Sequence, residues 1–351
     1  MTDKTVRPLA LALIAQVLLG AALLVWAAQG FPLPSQVAGS DERTTPATAT
    51  APPAPTPPVA AAPPGADHSR EAESAAATAP AQALAPRPTS DRFPSGPAFA
   101  LLREQVVRYG WRPAGSRALR RLSSRLRALL PAGRYEAIPG HPGLRNVVGS
   151  IPGRGKAIVL GAHYDVEARP MGFVGANDGA AGTAAVVWLA RALARAPRRP
   201  GDRPLRFVLF DGEEEPAGCE PFEECGLRGS KAYAERHADA TRSFVLLDYI
   251  AEAHGLSFPR EATSDVALWR KLRTAASDVG VGALFPARTG GGVLDDHTPF
   301  LDREIPAIDV IDFDYPQADT LQDTLDKVSE RSLDAVGEAA YLLVSRLRRE
   351  R

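Results

Sequence analysis

The chain has 351 residues, and its 41 lysines and arginines balance 41 aspartates and glutamates. A formal charge of zero excludes the basic stripe that a nucleic-acid-binding surface needs, so nucleic acid is not an expected partner. Only two cysteines are present, Cys219 and Cys225; they exclude a disulfide framework and leave room for one local bridge in an oxidising compartment.

Lys4 and Arg7 precede an apolar run from Pro8 to about Ala28. A run of about 20 apolar residues crosses a bilayer as a helix and exceeds the usual signal-peptide core of roughly 7–15. With its positive charges ahead of the run, the amino terminus is expected to stay in the cytoplasm and the remainder to lie outside, periplasmic or extracellular. The alternative is cleavage near Val25-Trp26-Ala27 and secretion. Residues 1–34 therefore read as a membrane anchor or signal segment. From Ser35 to Arg92, Ala, Pro, Thr and Ser dominate, as in Ala51-Pro52-Pro53-Ala54-Pro55-Thr56-Pro57-Pro58. Too few large apolar side chains are present to offset the entropy of ordering, so 35–92 is predicted to be an extended, disordered linker in which His68 is solvated. The folded domain is expected over 93–351.

Leu119, Leu122, Leu126 and Leu129 recur at helical spacing behind Ser116, which reads as an N-cap, and arginines occupy the other sides. Short strands are expected around 135–138 and 146–151. The run Lys156 to His163 is an apolar strand that ends on a histidine, with Asp165 two residues on as an acceptor for the imidazole nitrogen not used in ligation. Gly175-Ala176-Asn177-Asp178-Gly179 then leads into a small-residue helix over 183–194, where Asp178 suits either a bridging carboxylate or an N-cap. The strand Arg206 to Phe210 closes abruptly on Gly212 and Glu213-Glu214-Glu215. Of two adjacent carboxylates at such an end, one can hold a metal while its neighbour takes a proton from water.

A helix over 227–237 follows, with His237 on its polar face. The strand Ser243 to Leu247 ends in Asp248, an acid costly to bury without a cation. A helix over 265–279, a flexible Gly290-Gly291-Gly292 loop, the run Leu294-Asp295-Asp296-His297, a strand over 305–311 and a helix over 330–346 complete the chain. Strands alternating with helices predict an α/β three-layer sandwich with a mainly parallel central sheet. The ligand site then lies beyond the carboxyl ends of the strands. His163, Asp178, Glu213, Glu214 and Asp248 all fall there.

This ordered set resembles metallopeptidase family 28, the co-catalytic zinc aminopeptidases, which include the animal-type glutaminyl cyclases. The resemblance runs from about Phe93 to the carboxyl terminus. It implies a zinc aminopeptidase-like fold with His163 and Asp248 on one zinc, Asp178 bridging, Glu214 on a second zinc and Glu213 as general base. It also implies that Asp296 and His297 help orient a peptide substrate. The family pattern His-Thr-x-x-Asp-Thr reads here Asp319-Thr320-Leu321-Gln322-Asp323-Thr324, so Asp319 stands where the last ligand histidine should be.

Carboxylate oxygen binds zinc at nearly the distance of imidazole nitrogen, so the site is expected to be retained but altered. Two dications facing Asp178, Glu214, Asp248 and Asp319 are formally neutral, which favours harder ions such as manganese relative to the usual set. Two zinc ions and peptide hydrolysis are the expectation. One zinc and cyclisation of an amino-terminal glutamine is the alternative, and a catalytically impaired binding domain tethered to the membrane is a third. Glu252 and Glu261 are the acids offered for a substrate α-amine, and Cys219 and Cys225 are expected to pair.

Overall fold

The structure is a computed structural model and describes residues 83–350, all within the second of two units, Met1–Ala75 and Ala76–Arg351. The expected anchor over 1–34, His68 and the linker up to residue 82 lie outside the described residues. Among the described residues no helix is long and apolar enough to cross a membrane.

Six strands form one sheet: β1 (Arg134–Ala137), β2 (Arg145–Ile151), β3 (Ala157–His163), β4 (Leu205–Phe210), β5 (Thr241–Asp248) and β6 (Ala307–Ile311), in the order β1-β2-β4-β3-β5-β6. The β4-β3-β5-β6 part is parallel, whereas β1 and β2 join antiparallel at one edge. Mixed sheets of this kind carry helices on both faces, so the central strands are apolar on both. In β3 the residues Ile158, Leu160 and Ala162 enter the larger core, and Val159 enters the smaller core on the opposite face.

The larger core is closed by α1 (Ser95–Glu104), α2 (Arg117–Leu129), α3 (Ala180–Arg195), α6 (Val266–Asp278) and α8 (Glu330–Leu347). The smaller is closed by α5 (Arg228–His237) and α7 (Thr298–Leu301), with the short α4 (Phe222–Cys225) preceding α5. Ser116 caps α2 as expected, its hydroxyl accepting from Leu119 N–H at 3.0 Å. His237, at the end of α5, sits 2.9 Å from Glu136 Oε2 of β1.

Two glycines set how closely the layers approach. A Cβ on Gly182 of α3 would lie 2.2 Å from the Leu247 carbonyl oxygen, so glycine lets this helix rest directly on β5. A Cβ on Gly161 of β3 would lie 2.8 Å from both Phe210 and Phe244. Those rings belong to an aromatic layer with Tyr233 and Phe300, in which Phe244 and Phe300 stack at 4.0 Å.

Neither α1 nor the π-helical turn Gln105–Tyr109 that continues it is among the expected elements. Composition also extended the linker to 92, yet residues 83–92 lie against the domain. Gly255 N–H donates to the Ala83 carbonyl, Thr89 N–H to the Val279 carbonyl, and Phe93 is fully buried. The reason is Glu338 of α8, wholly buried, whose carboxylate accepts from Ser90 Oγ and from the backbone N–H groups of Arg92 and Phe93. Glu338→Ala leaves two backbone donors without a partner and should cost about 2–4 kcal/mol, read as a shifted denaturant midpoint.

Asp334, one turn earlier, is raised from 3.8 to about 6 by burial and by Glu338. A carboxyl raised on folding contributes most stability below its unfolded value, and that contribution is lost as pH rises through the folded value. Asp334→Asn should therefore raise the melting temperature above about pH 6 and leave it unchanged below about pH 4, in a series of thermal melts.

Candidate metal centre

The parallel strands and the loops beyond them deliver the polar groups to one cavity of 240 Å³, lined by His163, Glu167, Asp178, Glu213, Glu214, Asp248, Tyr249, Asp295 and Asp319 among others. His163 and Asp248 are the last residues of β3 and β5, and Glu213 and Glu214 follow the turn after β4. Asp178 precedes α3 without capping it, since Gly179 holds the cap position with no side-chain bond. Asp319 arrives from the loop after β6 with φ of 55°, in the left-handed region that aspartate tolerates better than most residues.

His163 Nε2 lies 3.1 Å from Asp178 Oδ1 and 3.4 Å from Asp248 Oδ1. Donors bound tetrahedrally at about 2.0–2.2 Å from zinc stand roughly 3.3–3.6 Å apart, so this trio suits one ion with little adjustment. His163, Glu213 and Glu214 form a second grouping on the same imidazole. The other oxygen of Asp178 faces elsewhere: Tyr249 Oη is 3.0 Å from Asp178 Oδ2 and 2.9 Å from Asp319 Oδ1. Asp178 thus presents its two oxygens to two different donor sets, and Asp319 belongs to the second.

The electrostatics fit a cation. Burial pushes Glu214 well above the usual carboxylate range, and Asp178 and Glu213 add to it; burial likewise lifts Glu213, with Asp295 and Asp296 contributing. Asp248 rises to about 7 by burial, and Glu167 to about 7 by burial and the charges of Asp319 and Asp178. Burial disfavours a charged His163, but its bonds to Asp178 and Asp248 outweigh this and hold it well above its ordinary value. Burial is the leading cause for each of these acids, and acids gathered around one buried cavity are the environment in which a divalent ion would favour the ionised form.

Two expectations are corrected. Asp165 does not hold the free imidazole nitrogen: its Oδ1 is 3.9 Å from His163 Nδ1 and accepts from the Glu213 backbone N–H instead. Asp296 and His297 are both fully buried and stand behind the cavity wall, which Asp295 beside them lines, as a pair expected to act from behind the ligands would. Glu252 and Glu261 are likewise away from its walls, and Glu261 accepts from the backbone N–H groups of Thr263 and Ser264.

Cys219 and Cys225 form a disulfide. The loop it closes carries Phe222, which lines the cavity. Tyr249, Glu167 and Asp295 were not singled out from the sequence as parts of the site, although Tyr249 and Asp295 adjoin residues that were.

The loop bearing Asp178 is held from below. Asp323 accepts from the backbone N–H groups of Asn177 and Asp178 and from Tyr315 Oη. Arg112, fully buried, donates to the carbonyls of Tyr164, Val174 and Gly175. Groups that orient a ligand in this way typically alter metal affinity 10–100-fold when removed. Asp323→Asn places an amide where two backbone donors point, and should weaken metal retention by about that factor in a chelator competition.

Comparison with known proteins agrees with this geometry. The profile of peptidase family M28 matches residues 146–344. Aminopeptidase YwaD of Bacillus subtilis (strain 168) is 27% identical over 196 residues, 52% of this chain and 39% of that protein. The glutaminyl-peptide cyclotransferase-like protein of Mus musculus is 29% identical over 200 residues, 49% of this chain and 52% of that protein. The matched region therefore spans about half or less of these relatives. A solved Acidobacteriales bacterium glutaminyl cyclase superposes with a TM-score of 0.65 at 28% identity, covering 77% of this chain and 98% of its own. With its ligand-bearing strand ends and a profile match over more than half its length, the chain belongs to peptidase family M28.

Proposed function

We propose that this chain is a zinc-dependent aminopeptidase that hydrolyses the amino-terminal residue from peptides. The observation that carries the reading is Asp178, with Oδ1 3.1 Å from His163 Nε2 and Oδ2 on the Tyr249 and Asp319 side. A carboxylate so placed can serve two ions. His163 and Asp248 would complete one position, and Glu214 and Asp319 the other.

When bound, the metal supplies Lewis acidity toward the scissile carbonyl and the attacking water. Glu213, buried at the end of β4 and within the His163 grouping, takes the proton of that water and returns it to the leaving amine. The carboxylates around the cavity, Glu167 among them, favour a cationic substrate terminus. Phe222, Leu294 and Phe313 add apolar surface to the cavity lining, against which a substrate side chain could rest. Because Asp319 replaces a nitrogen donor with a charged oxygen, manganese should compete at the second position better than at the first. The domain is proposed to work outside the cytoplasm, attached to a membrane through the segment 1–34, a reading that rests on Lys4, Arg7 and the apolar run behind them.

A second reading is cyclisation of an amino-terminal glutamine on one zinc, with Glu213 passing a proton from the α-amine to the departing ammonia. The observation favouring it is the buried pair Asp295 and Asp296, whose charges act on Glu213 and suit a carboxyl that relays protons. Its weakness is that Asp178, Glu214 and Asp319 would place three negative charges on one dication.

The test uses the full chain, loaded with zinc and assayed on aminoacyl amides and on glutaminyl peptides. Wild type should exceed Asp178→Ala by two ions per chain and release amino-terminal residues in a chelator-sensitive way. A difference of one ion with pyroglutamate as product selects the cyclase, and a chain inert under every metal selects a binding role. Glu213→Gln should lower kcat by about 10²–10⁴ while leaving the metal content unchanged. Asp319→His should change metal occupancy or rate, and identical behaviour would remove Asp319 from the ligand set.

A further inference from the structure

A second buried group of donors includes none of the metal ligands proposed above. Asp295, His297 and Asp309 each offer one ligand atom within 4.8 Å of the others, and none of the three is more than 4% exposed. They come from separate parts of the chain: Asp295 and His297 from the turn that starts α7, and Asp309 from the middle of β6.

The imidazole is fixed from its far side. His297 Nε2 lies 2.9 Å from Thr263 Oγ1 and 3.2 Å from Glu261 Oε2. The Glu261 carboxylate is itself pinned, accepting from the backbone N–H groups of Thr263 and Ser264 and from Thr263 Oγ1, so it stands as a fixed acceptor behind the ring. Nε2 therefore carries the proton and Nδ1 the lone pair. That lone pair has no hydrogen-bond partner and stands 3.7 Å from Asp309 Oδ2. Asp295 Oδ2 and both oxygens of Asp309 are also without partners, as are both oxygens of the neighbouring Asp296.

No lysine or arginine pairs with these acids among the described residues. Lone pairs and carboxylates facing one another in a dry interior are strongly unfavourable unless positive charge lies between them.

We infer that Asp295, His297 and Asp309 bind a divalent transition-metal ion of the zinc or manganese class, separate from the His163 centre. Two carboxylates and a neutral imidazole balance a dication. A carboxylate behind the ligating imidazole is the arrangement that fixes tautomer and orientation in such sites, and Glu261 provides it. Asp295 also lines the cavity of the His163 centre, which gives the ion a route in. Once bound, the ion ties the turn carrying Val293, Leu294 and Asp295, one wall of that cavity, to β6.

The experiment removes the first centre and asks what remains. The full-length His163→Ala/Asp178→Ala chain is loaded with zinc or with manganese, freed of loose ions and analysed for metal. One ion per chain is expected. Adding Asp309→Asn or Asp295→Asn should each abolish it, and either substitution in the otherwise natural chain should lower the total by one.

A metal-free double variant after both loadings overturns the inference and means that Asp295 and Asp309 share a proton instead. An ion that survives both aspartate substitutions overturns it as well. If Asp309→Asn fails to fold, Asp295→Asn and the count in the double variant still decide. Failure of the aminopeptidase reading is distinct, because it shows as a difference of fewer than two ions on replacing Asp178, or as an inert chain, whatever the count in the double variant.

Discussion

Negative charge buried at the carboxyl ends of parallel strands is the constraint around which this domain is built. Asp178, Glu213, Glu214 and Asp248 are each less than a tenth exposed. Removing a carboxylate from water is costly unless a cation or several donors meet it. The apolar strands give these acids rigid and repeatable positions. The same burial makes them unstable neighbours of one another, and the resulting strain falls where a divalent ion would relieve it. Arg112 and Asp323, beneath the Asp178 loop, hold backbone carbonyls and N–H groups in place, so the ligands stay aligned despite their repulsion.

The two sides of Asp178 differ in chemical character. Toward His163 and Asp248 the donor set is mixed nitrogen and oxygen, the type that zinc takes readily. Toward Asp319 it is oxygen throughout, with the Tyr249 phenol in contact with both acids. Tyr249 itself adopts φ of 47°, and Asp319 also lies in the left-handed region. Two residues held in that conformation at the second position mark a loop arrangement determined by its surroundings rather than by local preference. The exchange of histidine for aspartate is thus accompanied by a hydroxyl able to share the extra charge.

Much of this was legible in the sequence, for identifiable reasons. β3, β4 beyond Arg206 and β5 beyond Ser243 are buried on both faces and so appear as apolar runs, and the acids and histidine at their ends stand out against those runs. Asp319 was found because its neighbours Thr320 and Asp323 keep their places around it. The failures are equally physical. Helix α1 has a short apolar face, in which only Ala98, Leu101 and Leu102 are buried, and Gly96 and Pro97 occupy its first turn. Residues 83–92 have a linker composition, but Glu338, nearly 250 positions later, supplies the bonds that order them. Asp165 was misjudged because adjacency in sequence says little about which way a loop side chain turns once the strand has ended.

Gly161 shows how far the site depends on its foundation. It lies two residues before His163, on the same face of β3, pressed between Phe210 and Phe244. Phe244 stands in turn on the same face of β5 as Asp248, four residues on. The spacing between His163 and Asp248 on neighbouring strands is therefore set by an aromatic layer beneath them and by one missing methyl group. An added carbon at 161 would wedge the two rings apart and transmit the displacement along β3 and β5 to His163 and Asp248. A position that never enters the cavity can consequently reshape it, through the width of a gap between two phenyl rings.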